Sequence, residues 1–139
     1  MIGEKVTLRV RMSAGEAHYA GELVNGSHIL DFWGDVGTEL AIRLHGDESL
    51  FLGYENIKFT APVYAGDFME YVGWIEKAGN TSLTCQFEAY KCIQLTRNPA
   101  EANSAAEVLK EKVLCATGTG TLVVKKDLQR GAQDPAFVR

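Results

Sequence analysis

The sequence predicts an α+β domain, an antiparallel sheet crossed on one face by a single long helix, and three features carry that prediction. First, Val6, Leu8, Val10 and Met12 alternate with Lys5, Thr7, Arg9 and Arg11, the period of a strand with one buried face. Second, Ile29, Phe32, Trp33, Val36, Leu40 and Leu44 recur at helical spacing. Third, Ser49–Phe59, Asp67–Lys77, Ser82–Lys91 and Val113–Lys125 are rich in β-branched or aromatic residues, as strands are.

The elements follow in chain order. After the first strand, Ser13 to Asn25 reads as a loop of small and polar residues. Asn25 suits the N-cap of the helix and Gly46 the residue just past its C-terminus, giving about 20 residues and ~30 Å, long enough to cross a sheet. Pro62 should end the second strand, because proline cannot donate to a ladder. Ala65-Gly66-Asp67 and Ala78-Gly79-Asn80 carry the turn chemistry of tight reversals, which predicts that strands two, three and four form an antiparallel meander. Between Arg97 and Lys112 the run from Asn98 to Lys110 suggests a surface loop with a short helix. The tail 127–139 has no periodicity and is expected to lie over the surface of a single domain spanning 1–139. Five strands leave two edges, and a second subunit is the natural cover for one of them.

Composition excludes several classes of function. A chain of 139 residues, 46% hydrophobic and 23% charged, fits one core and one site. Its net charge of −4 offers no broad basic surface to nucleic acid or to an anionic membrane. The N-terminal Met1-Ile2-Gly3-Glu4-Lys5 lacks the features of a secretory signal and no apolar run approaches the ~20 residues of a membrane span, so a cytoplasmic location is expected. Cys85, Cys92 and Cys115 are odd in number and widely spaced, which points to reduced thiols rather than disulfides or a zinc site. Gly118-Thr119-Gly120 lacks the Lys-Ser/Thr ending of a phosphate loop and lies in a strand-like segment.

The connection Phe59-Thr60-Ala61-Pro62-Val63-Tyr64-Ala65-Gly66-Asp67, downstream of one long helix, resembles the hotdog superfamily. A finer resemblance, to ammonia-lyases of β-amino acyl-CoA thioesters (the β-alanyl-CoA and 3-aminobutyryl-CoA enzymes), rests on several strings. They are Ala17-His18-Tyr19, Leu23-Val24-Asn25-Gly26, Trp33-Gly34-Asp35-Val36-Gly37-Thr38-Glu39-Leu40, Leu50-Phe51-Leu52-Gly53-Tyr54, Asp67-Phe68-Met69-Glu70-Tyr71, Gly73-Trp74-Ile75-Glu76-Lys77 and Lys125-Lys126-Asp127. The resemblance implies one long central helix wrapped by a five-stranded antiparallel sheet, with the active site between subunits of at least a homodimer, or beyond it a trimer of dimers. It implies an acyl-CoA substrate and no cofactor or metal. The implied reaction is reversible loss of ammonia from 3-aminobutyryl-CoA to give crotonyl-CoA in amino-acid (lysine) fermentation, with β-alanyl-CoA as alternative substrate and thioester hydrolysis as alternative chemistry.

That elimination needs a base for the C2 proton, donors aimed at the thioester oxygen, and a group that orients the ammonium. Asp35 and Glu39, four apart on the helix, can reach one substrate. Glu39 is taken as the base and Asp35 as the ammonium holder, with the reverse assignment left open. Asp31, Asp35 and Glu39 also lie opposite the apolar stripe, as an ordinary solvated face would. His18 and His28 are candidate proton shuttles, His18 the stronger because it lies in a matching segment. Asn25 and Gly26 open the helix where free N–H groups favour an oxyanion, and with Tyr19 form the candidate substrate-binding set. Lys125, Lys126 and Arg130 are candidates for the phosphates of coenzyme A. Gly34 and Gly37 are expected where the helix meets the sheet closely.

Overall fold

The computed structural model describes residues 2–138. Its strands are β1 (Val6–Arg11), β2 (Ala17–Tyr19), β3 (Leu23–Val24), β4 (Leu50–Phe59), β5 (Phe68–Ala78), β6 (Ser82–Leu95) and β7 (Ala106–Val123), with one α-helix, α1 (Gly26–His45), between β3 and β4. The long strands form one antiparallel sheet in the order β1-β5-β6-β7-β4, and β2 and β3 pair separately.

Helix α1 starts and stops where its terminal residues dictate. Asn25 is extended at the N-cap, and Gly46 takes the left-handed conformation (φ 67°) at the C-cap, with its N–H donating to the Ile42 carbonyl at 2.8 Å. The buried stripe of Ile29, Trp33, Val36, Leu40, Ala41 and Leu44 lies on the inner face of the sheet, against Tyr71, Ile75, Cys85, Phe87 and Leu122. Trp33 is fully buried, stacks on Phe87 at 5.6 Å between centroids, and donates its indole N–H to the Glu88 carbonyl at 3.1 Å. The expected close contact is real at Gly37, where a Cβ would come within 3.1 Å of Phe51, 3.2 Å of Leu122 and 3.3 Å of Phe87; Gly34 has only the Tyr54 hydroxyl at 4.0 Å. Gly118 and Gly120 lie inside β7, where added Cβ atoms would meet Trp33 at 2.9 Å and Phe51 at 2.6 Å, a packing role.

Three expectations are corrected. The meander is β5–β6–β7, because β4 pairs with β7 at the far edge of the sheet instead of with β5. The segment between β4 and β5 is no tight reversal: Thr60 N–H bonds to Cys115, Val63 carbonyl accepts from Val24, and Ala65 N–H reaches Glu22, so it passes across the sheet end before β5 begins. Secondly, β6 and β7 continue far past the predicted ends and no helix forms between Arg97 and Lys112. Ile93, Gln94 and Leu95 pair with Val108, Glu107 and Ala106, and cross-strand pairing overrides the helical leaning of an Ala- and Glu-rich run. Thirdly, the loop expected from Ser13 to Asn25 holds the paired short strands β2 and β3; the tail after Asp127, mostly exposed, is docked by the buried Phe137 and by Arg130, Gln133 and Asp134 N–H groups bonded to carbonyls of His45 and Arg43.

The turn before β5 is held by a buried ion pair. Lys91 Nζ lies 3.1 Å from Asp67 Oδ2 and donates to the Pro62 carbonyl at 2.8 Å, while Asp67 accepts the Tyr64 N–H at 2.7 Å. Both side chains are almost completely out of solvent, so loss of either would strand the other. Through Val63 and Tyr64 the same turn pairs with β3 and so fixes the chain entering α1.

Candidate active site

The candidate residues fall into three groups strung along α1. At its N-terminal end, β2 pairs with β3 and brings His18 and Tyr19 beside the chain leading to Asn25 and Gly26. His18 and Tyr19 are exposed, with ring centroids 5.1 Å apart. Asn25 makes no side-chain cap bond; its amide donates instead to the Ser27 hydroxyl, so no side chain closes the first turn of the helix. Gly26 has a structural cause as well: a Cβ there would fall 2.6 Å from Cζ of Phe59.

The second group is the exposed ridge of α1, where Ser27, Asp31, Asp35 and Glu39 follow one another four apart. Asp35 and Glu39 therefore share a face that the sheet does not cover. Their surroundings differ. Glu39 Oε2 accepts from Arg43 Nε at 2.8 Å, whereas Asp35 makes no hydrogen bond or ion pair among the described residues. Tyr54 of β4, whose hydroxyl donates to the Leu30 carbonyl at 2.7 Å, feels the charges of this ridge. Burial, with the charges of Asp31 and Asp35 added, pushes that phenol well above the ordinary tyrosine range, so it serves as a neutral donor.

Arg43 was not among the predicted site residues, although its i,i+4 spacing from Glu39 was visible in the sequence. Its Nη1 also donates to Asp134 of the docked tail. The Ala136 N–H, followed by the Arg43 guanidinium, holds the Asp134 carboxyl below the usual carboxylate range. His28 lies under the ridge, with Nδ1 3.4 Å from Asp31 and Nε2 3.6 Å from Glu16, and its ring packs edge-on against Phe32 at 4.8 Å.

The third group lies beyond the C-terminal end of α1. Lys125, Lys126 and Arg130 are exposed; the Arg130 guanidinium bonds the Gly46 carbonyl at 3.2 Å, and Lys126 borders a cleft of about 500 Å³ with Leu44, His45, Gln129 and Phe137. At 1.5 Å per residue, Gly26 stands ~14 Å along the axis from Asp35 and ~20 Å from Glu39. One chain alone therefore does not bring its helix N-terminus and its acidic pair to the same acyl group. Among the described residues no cluster of His, Cys, Asp and Glu is arranged to hold a metal, and no helix is long and apolar enough to cross a membrane.

Comparisons with known proteins identify the family to which this fold belongs. The model of the family described as the thioesterase superfamily matches residues 21–92. A 3-aminobutyryl-CoA ammonia lyase of Acetoanaerobium sticklandii is 47% identical over 126 residues, covering 91% of this chain and 98% of the relative. The solved β-alanyl-CoA:ammonia lyase of Clostridium propionicum superposes with a TM-score of 0.94 at 55% identity, covering 99% of this chain and 96% of that one. A hexameric hotdog-fold thioesterase of Campylobacter jejuni shares the fold alone, with a TM-score of 0.69 at 16% identity over 94% of this chain and 90% of its own. A long helix against a five-stranded antiparallel sheet, matched end to end by two such lyases, shows that the chain is a hotdog-fold member of the thioesterase superfamily and belongs to its family of 3-aminobutyryl-CoA and β-alanyl-CoA ammonia lyases.

Proposed function

We propose that the protein reversibly eliminates ammonia from a 3-aminoacyl-CoA thioester, with 3-aminobutyryl-CoA, giving crotonyl-CoA, as its preferred substrate. The observation that carries this reading is the acidic pair Asp35 and Glu39, exposed on the one long helix of a chain similar over nearly its whole length to two ammonia lyases. Glu39 takes the C2 proton; the electron pair left on C2 forms the C2–C3 double bond as the C3–N bond breaks and ammonia departs with its own pair. Asp35, unpaired within the chain, holds the substrate ammonium, which needs no general acid because it leaves as neutral ammonia. His18, contributed with Tyr19 by the copy whose helix N-terminus meets this Glu39, passes the proton between Glu39 and solvent, and Tyr19 lines the acyl pocket. The N–H groups at Asn25 and Gly26 face the thioester oxygen as enolate charge develops.

The ~14 to 20 Å between that helix end and the acidic pair calls for a second copy, whose helix runs antiparallel and brings its open N-terminus to this chain's Asp35 and Glu39. Two features support such an assembly. Strand β4 is a sheet edge with Leu50 and Leu52 about two-thirds exposed, and the acidic ridge is itself uncovered. In the homodimer or trimer of dimers so formed, Lys125, Lys126 and Arg130 meet the coenzyme A phosphates. The place of the enzyme is the cytoplasm, in amino-acid (lysine) fermentation, with no cofactor beyond the coenzyme A of its substrate.

Crotonyl-CoA and acryloyl-CoA, each incubated with ammonium, test the reading. Formation of an aminoacyl-CoA without release of free thiol supports it, and thiol release without an amine product sinks it in favour of a thioesterase. Asp35→Asn and Glu39→Gln are each expected to abolish the reaction while far-ultraviolet circular dichroism stays unchanged; near-normal turnover in both overturns the carboxylate pair. Relative kcat/KM for the two thioesters decides the preferred substrate, since one methyl group in an apolar pocket is worth only about 1 to 3 kcal/mol.

A further inference from the structure

The two carboxylates of the ridge are held differently, and the difference is made by the C-terminal segment. Segment 133–137 grips Arg43 from several sides. The Gln133 and Asp134 N–H groups donate to the Arg43 carbonyl at 2.9 and 3.3 Å. Asp134 Oδ2 accepts from the guanidinium, while its Oδ1 accepts the Ala136 N–H at 3.0 Å. Phe137 is buried, with its ring centroid 5.9 Å from the guanidinium carbon. Nε of the same guanidinium donates to Glu39 at 2.8 Å.

We propose that Arg43, clamped by Asp134, is a positioning residue for ammonia elimination: it fixes the Glu39 carboxylate on the helix ridge, which makes the C-terminal segment part of the catalytic apparatus. The proposal rests on the reading of Glu39 as the base. A solvent-exposed Glu–Arg pair one helical turn apart is worth little by itself, because both long side chains lose freedom to form it. Here the cation is already ordered by the tail, so the glutamate alone has freedom left to lose, and a planar fork with two carboxylates on it has one orientation. The charged groups around Glu39 are Arg43 and Asp35 from its own helix, Asp134 from the tail, and Glu4 and Lys5 of the N-terminal segment, which border the same cleft of about 280 Å³.

The test is the kcat and KM of ammonia elimination by full-length Arg43→Gln, Arg43→Lys and Asp134→Asn. Arg43→Gln is expected to lower kcat about 10- to 100-fold while KM changes little, since misplacement of a reacting group costs rate first. Asp134→Asn, which leaves the Arg43 bond to Glu39 possible but loosens the clamp on the guanidinium, is expected to lower kcat by a smaller factor, again with KM little changed. Arg43→Lys should restore only part of kcat, because an ammonium cannot fork between two carboxylates. A tail that merely anchored the helix would leave kcat of the folded variants unchanged; unchanged kcat in Arg43→Gln and Asp134→Asn overturns the proposal. If Arg43→Gln fails to fold, the near-isosteric Asp134→Asn decides alone, by the same criterion. Full turnover by Glu39→Gln would instead locate the failure in the assignment of the base, whereas an inactive Glu39→Gln with unchanged kcat in the other variants fails the positioning role only.

Discussion

The inner and outer faces of α1 are made of residues chosen by different forces. On the inner face Trp33, Val36, Gly37, Leu40, Ala41 and Leu44 are buried against the sheet, and every one of them can be explained by a neighbour in the same chain. On the outer face Asp31, Asp35 and Glu39 are exposed, and of these Asp35 makes no side-chain hydrogen bond or ion pair among the described residues. One face is accounted for by folding; the other carries the carboxylates proposed above for the chemistry, and the two are separated by half a helical turn.

That separation breaks down if substitutions on the two faces cost similar stability, and urea unfolding at fixed protein concentration measures it. Trp33→Ala should cost the most, about 3 to 5 kcal/mol, because it empties a closed site and leaves the Glu88 carbonyl without its donor. Gly37→Val should cost about 1 to 3 kcal/mol by overpacking against Phe51, Phe87 and Leu122. Gly46→Ala should cost about 1 kcal/mol: it keeps the helix but strains a left-handed cap, and its Cβ would lie 2.8 Å from the Gln133 side chain. Asp35→Asn should fall within about 0.5 kcal/mol of the parent, although it is expected to abolish turnover. A loss of 2 kcal/mol or more for Asp35→Asn would assign the ridge to folding.

The same contrast explains what could be read from the sequence. The inner face was legible, because burial imposes a 3.6-residue period and Asn25 and Gly46 mark the ends of α1. The alternation in β1, and the strand core of β5 and β6, were legible for the same reason. Strand order was not: nothing local in Leu50–Phe59 says that its partner is Ala116–Val123, far along the chain, rather than the next strand. The β6–β7 extension was missed because Ala and Glu lean towards helix until Ile93 and Leu95 supply a cross-strand partner. The docked tail was missed because one aromatic, Phe137, carries its burial and a single residue has no period.

In the site, the carboxylate spacing was readable as geometry on a helix. The Arg43 bridge was only half so: its pairing with Glu39 is local, its pairing with Asp134 spans 91 residues. Lys91 and Asp67 form another long-range pair that neither composition nor spacing announces.

The two ends of α1 carry a final consequence. At one end the carbonyls of Ile42, Arg43, His45 and Gly46 have received donors from the cap and the tail, and at the other no side chain closes the first turn. The macrodipole of the helix is therefore insulated at its negative pole and bare at its positive one. A bare positive pole followed by a line of carboxylates is a charge pattern that matches its own reverse, pole to ridge and ridge to pole. The rod is thus electrostatically self-complementary under a twofold rotation, and a zwitterionic guest lodged between two such rods would be oriented by the field before any side chain touched it.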